Sequence, residues 1–306
     1  MTETGQGPPA RATRPPLALA LLGGAGRLPF LRRGCHALVG AYLARHPQHA
    51  IVRARIAGLP SVVDLRETME RTIFLRGTVD SRGIALMRWA LRDIAGPVIF
   101  DVGANVGNHS AAMRDIAGQI HAFEPNPALY ARLAEMIAAN GIANIRAEGV
   151  ALSDHEGVAT LKLRDGESER AHLSSGGKGV AVEMTTGDAY VRRKGIDRLD
   201  LIKIDVEGHE PAVLAGLSES LRRFRPLVVF ERYLTTPDYS SAAFSQLLPD
   251  YQLLGTRRRR LMTGAPRGSR LEPFCDARPY AAALAVPSER ADSVLGGWKG
   301  RLRRAA

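Results

Sequence analysis

Small and polar residues follow directly after an apolar run that begins at Val98. They are Asp101, Gly103, Ala104, Asn105 and Gly107. Glycine lets the backbone turn tightly and approach a ligand closely. A dinucleotide site would need the pattern G-x-G-x-x-G, but Asn105 stands at its second glycine, and no Gly-Lys-Ser/Thr follows as in a P-loop. The segment therefore predicts a ligand-binding turn where a strand ends.

A carboxylate follows at the spacing expected of a nucleoside site. Glu124 ends the apolar run Ile120–Phe123, and Asn126 and Pro127 then begin a predicted helix. An ionised carboxylate only accepts hydrogen bonds, whereas a ribose diol donates them, and an acid at the end of the second strand is the usual partner of a ribose. The glycine turn and the carboxylate of Glu124 together predict that a ribose-bearing cofactor binds at the carboxyl edge of a sheet.

A second polar group follows the predicted fourth strand and contains Asp205, Glu207, His209 and Glu210. Ligands of open parallel sheets bind outside the carboxyl ends of the strands, so these residues belong to the same edge. A neutral alcohol needs a base to take its proton. The residues do not decide which side chain is that base. The candidates are His209, Asp205 and Glu231, and Glu231 ends the predicted fifth strand. Asp205 and Glu231 together offer too few oxygens for a metal site, and no metal is expected.

The elements that must position these residues alternate along the chain. Apolar strand-like runs are predicted at 97–102, 119–123, 144–148, 199–204, 226–230 and 280–286. Helical patterns are predicted at 106–116, 128–140, 210–224 and 241–248. Strands that are apolar throughout and separated by helices predict a parallel sheet covered on both faces. Residues 150–184 break this rhythm and predict a β insertion with a loop at 165–179.

Four sequence blocks resemble the FkbM-type methyltransferases. They are Asp101–Gly107, Phe123–Pro127, Ala151–Asp154 and Leu201–Glu210, in the expected order within about residues 60–290. The resemblance implies a Rossmann-like class I methyltransferase fold: a mostly parallel seven-stranded sheet with helices on both faces, an antiparallel last hairpin, and here a β insertion after the third strand. It also implies S-adenosylmethionine as cofactor and O-methylation of a hydroxyl on a sugar, a polyketide or another small metabolite.

The resemblance also implies roles for individual residues. The cofactor would contact Asp101, Gly103, Ala104, Asn105, Gly107, Glu124, Ala151, Leu152 and Asp205. The catalytic candidates are Asp205, Glu207, His209 and Glu231. Two other functions stay open: a nicotinamide-dependent oxidoreductase, and a non-catalytic protein on the same fold that binds nucleic acid.

Basic residues are concentrated at the two ends of this chain of 306 residues. The net charge is +11 in total, +7 over residues 1–60 and +8 over 256–306, which leaves −4 between them. We expect a disordered leader and a basic amphipathic helical extension at 1–60, with the helix over 33–57 and interrupted near Pro47. The methyltransferase domain would span 61–290, and a basic tail 291–306.

Composition also sets expectations for partners and location. The expected partner is a small hydroxyl acceptor, with no nucleic acid and no membrane span. The basic N-terminal helix allows weak contact with a membrane surface. A reducing, cytoplasmic location is the default expectation, which the two cysteines do not decide. Oligomeric state is not predicted.

Overall fold

Strands and helices alternate along the computed structural model, which describes residues 12–28, 30–164, 167–174, 179–230, 240–260, 266–274 and 282–294. The strands in chain order are β1 (Ile51–Ile56), β2 (Leu59–Asp64), β3 (Val98–Val102), β4 (Gln119–Phe123), β5 (Ile145–Glu148), β6 (Ala151–Ser153), β7 (Gly157–Arg164), β8 (Glu167–Ser174), β9 (Val180–Thr186), β10 (Leu201–Ile204), β11 (Leu227–Phe230), β12 (Tyr251–Arg260), β13 (Pro266–Pro273) and β14 (Ala283–Pro287). The α-helices are α1 (Leu17–Ala25), α2 (Arg32–Arg45), α3 (Thr68–Arg76), α4 (Ser81–Ala90), α5 (Asn108–Met113), α6 (Pro127–Ala139), α7 (Gly187–Lys194), α8 (Glu210–Ala215), α9 (Ser218–Phe224) and α10 (Ser241–Leu247).

The central sheet has the strand order β13-β12-β14-β11-β10-β3-β4-β5. Its five strands from β11 to β5 run parallel, and β14, β12 and β13 pair antiparallel at the other edge. Each apolar run predicted as a strand forms one of these strands. The expected Rossmann-like fold class is thereby confirmed, and β13 adds an eighth strand beyond the seven that the resemblance implies.

Residues along each central strand alternate between two hydrophobic cores, because successive side chains of a strand point to opposite faces. Ile99 of β3 and Leu201 of β10 belong to the core that α4, α5, α6 and the N-terminal elements cover. Phe100 and Ile202, one residue further along, belong to the core under α7, α8, α9 and α10. This double coverage explains why the strands are apolar throughout, and it leaves the strand ends to carry polar groups.

A second sheet with the order β6-β9-β7-β8 lies between β5 and α7 in the chain, as the predicted β insertion. The loop prediction for 165–179 was wrong over residues 167–174, which pair with β7 as strand β8. The reason is a cross-strand apolar pair: Leu173 lies opposite Leu161 and packs against the small core of this sheet.

The described part of the N-terminal extension, from residue 12, packs on the domain. Leu19 of α1 and Val39 of α2 are buried in the same core as the central sheet. The helix predicted over 33–57 was wrong after residue 45, because residues 51–56 form β1 and turn back at Ala57 and Gly58, both with positive φ, into β2. This hairpin crosses the expected boundary at residue 60. No helix in the described residues has the length and apolarity to cross a bilayer.

One further expectation needs correction. The helix predicted over 210–224 is divided into α8 and α9 at Gly216 and Leu217. Glycine is required at 216, because a Cβ there would lie 1.9 Å from the carbonyl oxygen of Ser153. Ala291 and Val294, in the predicted tail, are buried in the core with the central sheet. Residues 1–11 and 295–306 lie outside the described residues.

Candidate active site

A cavity of about 280 Å³ lies at the carboxyl ends of β3, β4 and β10. The residues predicted for the site that line it are Gly103, Ala104, Asn105, Glu124, Ala151, Leu152, Asp205, Glu207 and His209. The cavity therefore brings together the glycine turn, the acid after β4 and the polar group after β10, which are up to about a hundred residues apart in the chain. Glu231 lies outside the described residues.

The glycine turn is held by close backbone contacts. Gly103 has a φ of +74°, and a Cβ at this position would lie 1.9 Å from the carbonyl oxygen of Asp205. The amides of Gly103 and Ala104 both donate to the carbonyl oxygen of Phe123. Glycine at 103 is thus required both by conformation and by space.

Gly107 does not line the cavity, and its lack of a side chain allows the turn to pack against α6. It has a φ of +84°, and a Cβ there would meet the side chains of Leu133 and Met136 of α6. Asn105, between the glycines, also has a positive φ of 52°. This glycine lets α5 and α6 approach each other, and its contact with a cofactor stays a prediction.

Glu124 is buried in the cavity wall and already holds the glycine turn. Its Oε2 accepts from the amide of Asn105 at 2.8 Å, and its Oε1 accepts from the amide of Asn126 at 2.9 Å. Burial raises the pKa of Glu124 to about 7, although both amides act to lower it. A carboxylate can accept about four hydrogen bonds, so two acceptor positions remain for a ligand.

Asp101 does not line the cavity, and its contact with a cofactor stays a prediction. Its Oδ2 accepts from the hydroxyl and the amide of Ser110 at 2.6 and 3.0 Å, and its Oδ1 lies 3.1 Å from Nζ of Lys203. Burial acts to raise the pKa of Asp101, but the charges of Lys203 and His109 outweigh it and lower that pKa. Asp101 is the buried counter-charge of the site.

Lys203 is a site residue that the sequence reasoning did not single out. Its Nζ donates to the carbonyl oxygen of Gly103 at 2.7 Å and lies 3.8 Å from Oδ2 of Asp205. Burial acts to lower the pKa of Lys203, but Asp101 and Asp205 outweigh it and raise that pKa, so the ammonium group stays charged. The available signal was a lysine inside the otherwise apolar run Leu201–Ile204.

The loop after β10 turns sharply around Glu207. Glu207 has a φ of 53° and Gly208 a φ of 103°. The carboxylate of Glu210, fully buried, accepts from the amides of Val206 and Gly208 at 3.0 and 3.2 Å. Burial raises the pKa of Glu210 to about 7 against these hydrogen bonds. Glu210 therefore shapes the loop that presents Asp205, Glu207 and His209 to the cavity.

His209 is connected to the start of the insertion. Its Nε2 lies 2.9 Å from Oγ of Ser153, and Ser153 in turn donates to Oδ1 of Asp154 at 3.1 Å. The Ser153 hydroxyl has one proton, which it donates to the carboxylate of Asp154. Its oxygen then accepts a hydrogen bond from Nε2–H of His209. In this arrangement Nδ1 is the unprotonated, basic nitrogen of the imidazole. Burial lowers the pKa of His209, against the effect of Asp154. A neutral imidazole of this kind can accept a proton near pH 7.

The remaining wall comes from three separate parts of the chain. Leu161 and Leu173 contribute from the insertion, and Met69 from α3. Asn108 also lines the cavity, and its Oδ1 accepts from the hydroxyl of Thr78 at 2.8 Å and from the amide of Val79 at 3.0 Å. The sequence reasoning did not single out these residues, because nothing local in the sequence shows that they meet.

Within the described ranges, no group of three or more His, Cys, Asp or Glu residues is placed to hold a metal ion. The carboxylate pair considered from the sequence, Asp205 with Glu231, is not tested, since Glu231 is outside those ranges.

Comparison with known proteins gives a consistent set of relatives. Residues 101–252 match the family model described as the methyltransferase FkbM domain. The hexuronic acid methyltransferase AglP of Haloferax volcanii is 27% identical over 162 residues, which are 46% of this chain and 64% of that protein. The 2-O-methyltransferase NoeI of Sinorhizobium fredii is 26% identical, over 52% of this chain and 73% of that protein.

A third relative comes from Streptomyces tacrolimicus. The 31-O-demethyl-FK506 methyltransferase FkbM is 28% identical, over 41% of this chain and 61% of that protein. The chain thus spans about two thirds of the length of these curated relatives.

Proposed function

Because the chain belongs to the FkbM-type methyltransferase family, we propose that it transfers a methyl group from S-adenosylmethionine to a hydroxyl oxygen of a small molecule. One observation carries this proposal: a single cavity joins the Gly103 turn to the carboxylate of Glu124. A turn that excludes side chains and an acceptor for a diol are the two features that a nucleoside needs.

The residues present fit this cofactor. The absence of a side chain at Gly103 leaves backbone at the cavity wall, where the amino-acid end of the cofactor would lie. Glu124 keeps acceptor positions for the ribose hydroxyls, and Ala151 and Leu152 offer an apolar wall for the adenine. S-adenosylmethionine supplies an electrophilic methyl group on a sulfonium. The protein supplies alignment and proton transfer.

His209 is the residue that we assign as the proton acceptor for the substrate hydroxyl. It lines the cavity, its lowered pKa keeps the imidazole neutral near pH 7, and Ser153 holds its Nε2. Asp205, 3.8 Å from Lys203, orients the acceptor alcohol in this proposal. Glu207, at the turn of the same loop, contributes to the acceptor side of the cavity.

The names of the relatives support a class of acceptor. Their names refer to a hexuronic acid, to a 2-O position and to demethyl-FK506. We therefore propose that the acceptor is a hydroxyl of a sugar or a polyketide. The cavity combines polar groups after β10 with Leu161 and Leu173 from the insertion, as an amphiphilic alcohol requires.

The two other functions make different predictions. A nicotinamide-dependent oxidoreductase would bind a dinucleotide through a second glycine, where this chain has Asn105. A non-catalytic protein would bind RNA in a salt-dependent way and would need no methyl acceptor. The family match favours the transferase over both, whereas the cytoplasmic location stays a prediction.

Calorimetric titration with S-adenosylhomocysteine tests the proposal. We expect binding by the wild type, loss of most affinity in Glu124→Ala, and retained binding in Asp205→Ala. Glu135→Ala, which removes an exposed carboxylate of α6, is the matched control. Equal affinity in wild type and Glu124→Ala, or binding of NAD instead, would contradict the proposal.

A further inference from the structure

The outer side of the first two helices carries most of the exposed large apolar side chains. Of the seven such residues in the described part of the chain, six lie between residues 17 and 38: Leu17, Leu21, Leu28, Phe30, Leu31 and Leu38. The seventh, Val158, lies on β7 of the insertion. Single exposed apolar residues are ordinary, but such a concentration marks an interaction surface.

Helix geometry explains how this surface forms. In α1, Leu19 and Gly23 are buried, and Gly23 lies against the ring of Phe74 in α3. Leu17 and Leu21 are one turn apart on the opposite face, and they are 76% and 65% exposed. Phe30, in the turn before α2, is 78% exposed. The two helices pack on α3 with one side and present leucine and phenylalanine with the other.

The charged side chains of the segment that forms this surface all have one sign. The sequence contains no Asp or Glu between Glu3 and Asp64. Arg14, Arg27, Arg33 and Arg45 are all exposed beside the apolar residues. Leucine and phenylalanine flanked by arginine are typical of helices that lie in the interface of an anionic bilayer.

We propose that α1, α2 and the turn between them dock on an anionic lipid bilayer. Leu17, Leu21 and Phe30 enter the boundary between headgroups and acyl chains, and the arginines contact lipid phosphates. The docked surface is connected to the active site, because α1 and α2 pack on α3 and Met69 of α3 lines the cavity. This proposal is independent of the reaction that the site performs.

Three other partners fit this surface less well: a second copy of the chain, the chain's own residues 295–306, and a nucleic acid. A second copy meeting the same face would bring arginine-rich surfaces together. The chain's own residues 295–306 carry four basic and no acidic side chains, so they are not complementary to the surface. A nucleic acid would bind the arginines but would not require exposed leucine and phenylalanine.

Cosedimentation of the full chain with vesicles tests the proposal. We expect binding to vesicles of phosphatidylcholine with phosphatidylglycerol, weaker binding at high salt, and much weaker binding to phosphatidylcholine alone. Leu21→Gln with Phe30→Gln is expected to lower partition at least about tenfold. Arg27→Gln with Arg33→Gln is expected to lower it by a factor of about five for each arginine.

Matched controls separate this surface from general effects. Val158→Gln removes the exposed apolar residue of the insertion, and Arg222→Gln removes an exposed arginine of α9. Neither is expected to change partition. Far-ultraviolet circular dichroism and melting temperature of all variants should equal those of the wild type, because the changed side chains are exposed.

A fluorescent label gives a second readout. Gly24 is exposed in α1 and a Cβ there meets nothing within 4 Å, so Gly24→Cys can carry an environment-sensitive dye. We expect a blue shift with phosphatidylglycerol vesicles, and none for the dye on Val158→Cys. The proposal is overturned by binding that ignores phosphatidylglycerol, by unchanged partition of the apolar variant, or by an effect of that variant only on a dimer seen without vesicles.

Discussion

Lys203 and Asp101 face each other across neighbouring parallel strands, with Nζ of the lysine 3.1 Å from Oδ1 of the aspartate. Both side chains are almost completely buried, and Nζ also donates to the carbonyl oxygen of Gly103. The pair therefore lies under the glycine turn and connects the strand that carries this turn with the strand that carries Asp205. We therefore expect cofactor binding and folding stability to depend on the same ion pair.

Removing the lysine alone should be strongly destabilising. Lys203→Met leaves the carboxylate of Asp101 buried without its counter-charge, and we expect a loss of about 3–5 kcal/mol in the free energy of unfolding, measured with urea. The double variant with Asp101→Asn should lose less than Lys203→Met alone. Lys194→Met, which breaks a more exposed pair with Glu148, should lose below about 1 kcal/mol. Additive losses in the double variant would show that the two charges are not coupled.

A side chain at Gly103 should abolish cofactor binding because it lacks space, in addition to the strain of a positive φ. Gly103→Ala places a methyl group 1.9 Å from the carbonyl oxygen of Asp205. Gly141→Ala is the matched control, because Gly141 also has a positive φ, of 60°, but nothing within 4 Å of the added carbon. We expect Gly141→Ala to keep its affinity for S-adenosylhomocysteine and to lose about 1 kcal/mol of stability. Similar behaviour of the two variants in both assays would contradict this account.

Cofactor affinity should rise with pH around neutrality. Burial raises the pKa of Glu124 to about 7, so its carboxylate is mostly protonated below that value and ionised above it. The ribose hydroxyls donate, so they bind best to the ionised form. The dissociation constant for S-adenosylhomocysteine should therefore fall from pH 6 to pH 8. Glu124→Gln should bind more weakly and show a flat profile over this range; a wild-type profile without slope would contradict the assignment.

Turnover should depend on His209 in its neutral form. Burial lowers the pKa of His209 from its usual 6.5. Activity should therefore fall only when the pH drops below this lowered pKa. With an alcohol that the wild type methylates, His209→Asn should reduce kcat by a factor of about 10²–10⁴. Affinity for S-adenosylhomocysteine should stay unchanged, and Ser153→Ala should have a smaller effect on kcat. Full activity of His209→Asn would move the base to another residue.

Local patterns predicted much of the fold and part of the site. The buried strands are short apolar runs, so β4 was predicted at its observed ends and its parallel neighbours to within two residues. Gly103 and Glu124 were predicted to lie together because both directly follow strands, and strand ends of a parallel sheet share one edge. The structure confirms that one cavity contains them.

The failures have a common physical origin in contacts between distant parts of the chain. The ion pair of Asp101 was not predicted, because only strand pairing brings Lys203 beside it. Residues 51–56 were predicted to be helical, but they form a strand because they pair with β2. Leu173 lies in a polar stretch and becomes part of a strand only because Leu161 is opposite. Such pairings override local propensity and leave no local signal.

The hairpin formed by β7 and β8 has an evolutionary consequence. It hydrogen-bonds within its own small sheet, and it reaches the cavity through Leu161 and Leu173. The hairpin can therefore be lengthened, trimmed or exchanged without changing β3 and β4, whose ends carry Gly103 and Glu124. Under the proposed function, remodelling this one hairpin would admit other alcohols while the cofactor side of the cavity stays the same.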